Sequence, residues 1–409
     1  MRGTCACGDP ERLEILLRNL VRALCVCVLS AAALLPIASS AQGTQVAFAG
    51  LAYAGDAASL ETRFPFSRQY EKRVEAADAR VDAQIRAAIA KTAPRHFEVL
   101  PGLIEELKGR DQALVTSLVI NSETVSVETF GELRKLFVLI RGQALFFDFK
   151  TQTVIRSYPL SFAYIDVFDH QPTQDELLAR VRSVYEGAAG KPGIFARYAD
   201  VLANATIPSQ VSRFLKVTEV TVSDAVAASL PAYLKDSPGA AQTWAGDMVS
   251  EAISTRAGVP IIPYTKGYAV GNVFPMRISD GTVFNLKLPE PDYAISVDLT
   301  HVKKVQFGQV AAGSSFIYGT FATIKIQLPG MASHYMDSSF KNGETKVVPA
   351  TQTFVDDFPA YYDSWNALFR RVAEAMAGKD QAAWLKAAAS APDIDSQLQK
   401  TKEMIQQCK

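Results

Sequence analysis

Residues 136–168 read LFVLIRGQALFFDFKTQTVIRSYPLSFAYIDVF. Leu136 to Phe149 and Val154 to Phe168 are rich in Val, Ile, Phe and Tyr, and the polar Lys150-Thr151-Gln152-Thr153 between them has the composition of a turn. The stretch therefore predicts a long antiparallel hairpin. Alternation places Phe147 and Phe149 on one face and Phe146 on the other. With Tyr158, Phe162, Tyr164 and Phe168 these aromatics are expected to fill a core, an exposed binding platform being the alternative.

Outward from the hairpin, Ala113 to Val127 predicts a third extended segment. Gln45 to Tyr53 predicts a leading strand. Between them Val74, Ala77, Val81, Ile85 and Ile89 recur at helical spacing, which predicts one helix from about Tyr70 to Lys91. Downstream, Leu177, Leu178, Val181 and Val184 give the segment Gln174 to Tyr185 one apolar face. The order is strand, helix, strands, helix.

The same order is legible a second time. Leu215 to Val222 alternates apolar with charged or hydroxyl residues, and a helix from Ala241 to Thr255 offers Trp244, Met248 and Ile253 to a core. A hairpin, Val273 to Ile278 and Thr282 to Leu288, is expected to turn at Asp280-Gly281. Two longer strands, Tyr293 to Phe307 and Ser315 to Leu328, precede an amphipathic helix, Trp365 to Met376. Pro329 to Ala350, polar and carrying Gly330 and Gly343, is expected as an exposed loop. The fold class is α+β, two repeated strand–helix–strands–helix units with mainly antiparallel sheets. The units span 42–189 and 213–378, a glycine-containing linker covers 190–212, and 379–409 forms a loosely attached helical tail.

The chain begins with the features of an export signal. The apolar run Leu24 to Leu35 follows Arg18 and Arg22 and precedes Pro36 and the small residues Ser39-Ser40-Ala41, so residues 1–41 are expected to be a signal peptide cut after Ala41. The run is too short to span a bilayer, and no transmembrane helix is expected after cleavage. Four of the five cysteines (Cys5, Cys7, Cys25 and Cys27) fall in this segment, leaving only Cys408, expected at a frayed end and without an internal disulfide. A lipid anchor would need small residues directly before a cysteine at the end of the apolar run, and Val21-Arg22-Ala23-Leu24 before Cys25 does not have that form, so no lipid anchor is expected. Of 42 basic and 42 acidic residues, 38 and 39 lie beyond residue 41. That balance offers no electrostatic basis for a nucleic-acid partner.

No catalytic, cofactor or metal signature emerges. The histidines His96, His170, His301 and His334 are scattered, and Asp166 and Asp169 beside His170 form the nearest approach to a ligand cluster, more in keeping with a polar strand end. Gly313-Ser314-Ser315-Phe316-Ile317 places a bulky Ile317 where a nucleophile elbow needs a small residue. Gly187-Ala188-Ala189-Gly190-Lys191 is too short for a phosphate loop, and Pro192 removes a backbone donor. Asp356-Asp357 are expected to cap a helix, and Glu290 with Asp292 to sit in an extended loop, neither making an acid–base pair. Asn204-Ala205-Thr206 matches a glycosylation acceptor too short to be informative.

By order of elements the chain resembles small α+β domains of bacterial envelope accessory proteins: the N-terminal domain of the Tol system's periplasmic translocation protein and the curli secretion lipoprotein family. The resemblance rests on Gln45 to Tyr53, the helix Val74 to Ile89 and Phe97-Glu98-Val99-Leu100, and on Leu215 to Val222, Ala241 to Thr255 and Val259-Pro260-Ile261-Ile262. It implies a periplasmic, non-catalytic binding or assembly factor with envelope protein partners, and it transfers no functional residue. The lipidated cysteine of the curli family has no counterpart. Two other functions are open: a subunit of an outer-membrane secretion channel, whose inserted hairpins would have to shield Arg141, Asp148 and Lys150 from lipid, and an exported enzyme of unrecognised type.

Overall fold

The computed structural model describes residues 44–55, 58–100, 113–188, 190–207, 213–236, 238–265, 272–352 and 355–409. The expected signal peptide and its cleavage site lie outside the described residues, as do residues 208–212 of the expected linker. The architecture is mixed α+β, with eleven helices and two large mixed sheets among the described residues.

The first sheet contains β1 (Gln45–Ala54), β2 (Glu98–Leu100), β3 (Leu114–Phe130), β4 (Leu133–Asp148) and β5 (Thr153–Phe168). A two-stranded ribbon follows, β6 (Gly187–Ala188) and β7 (Lys191–Pro192). β1 runs parallel to β2 and β3, whereas β3, β4 and β5 form an antiparallel meander. The predicted hairpin is present, with its turn at residues 149–152.

β1 shows how a single glycine controls which side chains meet the core. Before Gly50, Val46 and Phe48 enter one hydrophobic core and Ala47 and Ala49 the other. After it, Leu51 and Tyr53 enter the first and Ala52 and Ala54 the second, so the parity has flipped. The cause is a bulge: the register with β3 shifts between Phe48 and Leu51, and Gly50 takes φ +100°, a region closed to most side chains.

The helices α1 (Leu60–Arg63), α2 (Pro65–Ala76), α3 (Val81–Thr92), α4 (Gln174–Glu186) and α5 (Ile194–Asn204) follow in chain order. Residues of α2 to α5 share one core with β1, β3 and β4, in which Phe48, Ile85, Val138, Phe146, Tyr185 and Tyr198 are buried. The single helix expected over 70–91 is two, because Asp78 adopts φ 57° and Arg80 is extended. The apolar period survives the break, since Val74, Val81, Ile85 and Ile89 are all buried.

The second sheet holds β8 (Leu215–Val222), and the hairpin expected beside it does not belong to it. β9 (Val273–Ile278) pairs antiparallel with β1, and β10 (Val283–Lys287) reaches β5 through Lys287 and Thr153. Six strands of the first sheet thereby close into a small barrel in the order β1-β3-β4-β5-β10-β9. Ala47, Val115, Phe147, Phe274, Met276 and Leu286 form its core. The physical reason lies in β9 and β10 themselves: Phe274, Met276, Phe284 and Leu286 alternate strictly and need an apolar face, which the alanine-rich side of β1 supplies.

β11 (Tyr293–Val310), β12 (Gly313–Gln327) and β13 (His334–Pro349) complete the second sheet in the order β13-β12-β11-β8, with β8 parallel to β11 and the rest antiparallel. β13 occupies the segment expected as a loop. Its alternation is real but half of it is written in polar residues: Met336, Ser338, Phe340 and Asn342 are buried, and the Asn342 amide donates to the Ser364 carbonyl at 3.1 Å. The remaining helices are α6 (Asp224–Ser229), α7 (Ala232–Lys235), α8 (Ala240–Ala257), α9 (Phe358–Met376), α10 (Ala382–Ala388) and α11 (Ile394–Gln407). α8, α9 and α11 cover the second sheet, with Trp244, Tyr318, Trp365 and Met404 in one core that also receives Phe137 and Leu139 from β4. The C-terminal segment is helical as expected but not loosely attached, because Leu385, Leu398, Met404 and Ile405 are buried in that core. Cys408 is likewise buried rather than frayed, and burial pushes its thiol up to about 12. Residues Thr44–Lys409 pack as one compact unit. Among the described residues no helix is long and apolar enough to cross a membrane.

Candidate functional site

Tyr318 and Thr320 of β12 point at α9, where Tyr318 meets Tyr361 edge-on and Thr320 bonds Ser364 at 2.8 Å. By alternation Ile317, Gly319 and Phe321 occupy the other face. A groove of about 410 Å³ crosses that face. Lys303 and Val305 of β11, Gly319 of β12 and Gly343 of β13 lie along it, and Trp384 of α10 walls its end.

The two glycines make the groove. They are direct cross-strand partners, and neither takes a positive φ, so the backbone would accept a side chain at both. At Gly319 an added Cβ would meet only ordinary contacts, the nearest being the Lys303 carbonyl at 3.5 Å. Glycine inside a strand weakens it by about 0.5–1 kcal/mol relative to alanine and marks places where another group approaches the backbone closely. Their absent side chains leave the floor open.

The walls carry both charge and hydrophobicity. Lys303, Lys341 and Arg371 line the groove together with Val305, Ile317, Phe321 and Trp384, and no carboxylate is among the lining residues. The Arg371 guanidinium donates to Asn342 at 3.1 Å and lies 5.4 Å from the Trp384 ring, which holds the wall in place. Beyond the groove the apolar surface continues through Phe307 (56% exposed) and Val347 (67% exposed). β13 is the edge strand: its outer side carries one isolated bridge, Phe340 to Ala389, and past it no strand pairs with that edge among the described residues.

The residues singled out from sequence take up structural duties elsewhere. His170 sits exposed between Asp169 (2.8 Å) and Glu176 (3.1 Å), and those two hydrogen bonds raise its pKa. Glu176 also completes a capping box with Thr173 at the start of α4, while Asp166 pairs with Arg180 at 2.6 Å. Glu290 accepts from Asn272, and Asp292 pairs with Arg213 and accepts the Phe214 N–H. Asp356 accepts the Phe358 N–H at 3.1 Å and pairs with Lys135, whereas Asp357 takes Lys304 and the Tyr318 hydroxyl and makes no side-chain cap. Gly313 enters β12 from a tight turn, as expected. Of the hairpin aromatics Phe146, Phe147 and Phe168 are buried, and Phe149, Tyr158, Phe162 and Tyr164 pack at the core margins. No group of three His, Cys, Asp or Glu positioned for a metal ion occurs among the described residues.

Sequence reasoning missed the groove because it placed β13 in a loop. The available signal was an isolated glycine in each of two alternating segments, Phe316-Ile317-Tyr318-Gly319-Thr320-Phe321 and Phe340-Lys341-Asn342-Gly343.

No family model matches the chain, and no curated protein matches it. Among solved structures it has a slight likeness to protein XCC0632 from Xanthomonas campestris, described with the family model DUF330. That likeness has 12% identity over 44% of this chain and 89% of that one, with a TM-score of 0.19, and it bears on neither fold nor function.

Proposed function

We propose that the chain is an exported, non-catalytic accessory protein of the bacterial cell envelope, and that it holds an extended acidic segment of a partner protein in the groove across β11, β12 and β13. The groove carries the reading. Three cations without a lining carboxylate select an acidic occupant, the apolar walls provide burial, and the part of the β13 edge beyond Phe340, with which no strand pairs among the described residues, offers backbone groups to an added strand. Export rests on the signal-like order of residues 18–41.

The channel reading is weaker. β4 is buried along nearly its whole length, and β9 and β10 contribute to the barrel core, so neither hairpin is free to insert in this state. The enzyme reading lacks a cleft gathering Asp166, His170 and Glu290, each of which is engaged separately.

The two halves are further proposed to be a duplication. The support is topological: β1 is parallel to β3 at one end of a three-strand meander, and β8 is parallel to β11 at one end of another. Each leading strand also has a short parallel neighbour on its other side, β2 beside β1 and Ile262 beside β8.

Zero-length carbodiimide cross-linking in intact cells, followed by mass spectrometry, tests the functional reading. The expected result is a mature N-terminus at Gln42 and a recurrent link from Lys303 or Lys341 to a carboxylate of one envelope protein. Links confined to lysines outside the groove would overturn it.

A further inference from the structure

A second concavity lies where α8 passes between β5 and α9. It encloses about 240 Å³ and is lined by Arg141 of β4, Ser161 of β5, Arg197 of α5, Glu251 and Arg256 of α8, and Arg370 of α9. Four guanidinium groups thus surround one carboxylate.

The compensation of those charges is uneven. Glu251 is engaged by Ser161, accepting its N–H at 3.2 Å and its hydroxyl. Arg256 reaches Glu374 at 3.8 Å. Arg141 is 4% exposed; it donates to the Trp244 carbonyl at 2.7 Å and stands 3.5 Å from Asp247, while its Nε has no hydrogen-bond partner. Arg197 makes no side-chain hydrogen bond or ion pair among the described residues but acts electrostatically on Glu251, and the exposed Arg370 makes neither bond. A buried guanidinium with an orphan donor, lining a polar cleft in which four guanidiniums meet one carboxylate, is an arrangement that an oxyanion would complete.

We propose that this cleft binds a phosphate dianion, either free or as a phosphomonoester. Arginine fits that role because its planar fork matches phosphate oxygens and stays charged. The mouth is open to solvent through Arg370, Asn366 and Thr255, all exposed. A neighbouring cavity of about 330 Å³ shares Arg197 and Thr255 with the cleft and adds Tyr158, Asn204, Ser254 and the carboxylate of Asp200, polar groups that suit a hydroxyl-bearing remainder. This site is independent of the groove on the second sheet.

Isothermal titration of the chain lacking residues 1–41, at pH 7.5 and constant ionic strength, supplies the test, with inorganic phosphate in one arm and glycerol 3-phosphate in the other. One saturable site is expected, and Arg197→Gln and Arg370→Gln should each weaken it by about tenfold or more. Arg134→Gln, at the exposed β3–β4 turn, should leave it unchanged. Tighter binding of glycerol 3-phosphate than of phosphate would identify a phosphomonoester, and the reverse a free phosphate. No saturable binding in either arm, or wild-type affinity in both cleft variants with an unchanged melting temperature, would overturn the proposal.

Discussion

Asp247 sets two effects against each other, and Asp247→Asn decides between them. Its side chain is only 12% exposed; burial pushes its carboxyl up to about 6, in spite of Arg141 at 3.5 Å, while nearby Glu251 adds to the rise. An unfolded aspartate titrates near 3.9, so the ionised form is disfavoured in the folded chain by about two pKa units, or about 3 kcal/mol at most. The sign follows. Well below pH 4 both states are protonated and the group contributes nothing. As pH rises from about 4 to 6 the folded state holds the proton that the unfolded state has lost, and stability falls by up to about 1.4 kcal/mol per pH unit. Asparagine cannot ionise, so Asp247→Asn should gain on the wild type by up to about 2 kcal/mol between pH 4.5 and 7.5. The other carboxylates that burial raises, Glu71, Asp82, Glu123 and Glu251, are present in both chains and largely cancel in the difference. Urea unfolding followed by tryptophan fluorescence at four pH values measures it. A variant that loses ground as pH rises would show that attraction to Arg141 outweighs desolvation, refuting the reasoning.

Three further outcomes follow from particular side chains. Gly50→Ala forces a Cβ to within 2.7 Å of Asp82 Oδ1, which already accepts the Leu51 N–H at 2.9 Å; with φ at +100° the loss should be about 2–3 kcal/mol by denaturant unfolding, and a loss below about 0.5 kcal/mol would contradict the bulge. Trp365 is fully buried but its Nε1–H has no partner, so Trp365→Phe should cost about 1–1.5 kcal/mol and Trp365→Ala about 3–5 kcal/mol, a contrast readable in thermal melts. Buried Cys408 should react with a thiol reagent at pH 8 at least about a hundredfold more slowly in the native chain than in denaturant.

What was legible in the sequence was local. β3, β4 and β5, the helices Gln174–Glu186 and Ala240–Ala257, and the turn at Asp280-Gly281 all declare themselves through period and turn chemistry within a dozen residues. Partnership was not legible. β9 and β10 are sequential neighbours of β11 yet bond to β1 and β5, a choice made by the alanine-rich face of β1 far away in the chain. β13 hid because its inward positions include Ser338 and Asn342, polar residues that become buried only where Ser364 and Ser390 meet them. The groove needed both facts at once: Gly319 and Gly343 acquire meaning only when β12 and β13 are placed side by side. The arginine cleft was still further from view, since Arg141, Arg197, Arg256 and Arg370 come from four separate elements.

The most direct test of the groove is to fill its floor without disturbing the fold. Gly319→Leu introduces a side chain where an added Cβ has room and the backbone is unstrained. The yield of the carbodiimide link from Lys303 or Lys341 in intact cells should fall at least about tenfold relative to wild type, tenfold corresponding to about 1.4 kcal/mol of lost affinity. An unchanged yield, in a variant that melts at the wild-type temperature, would contradict the groove as the partner's binding site.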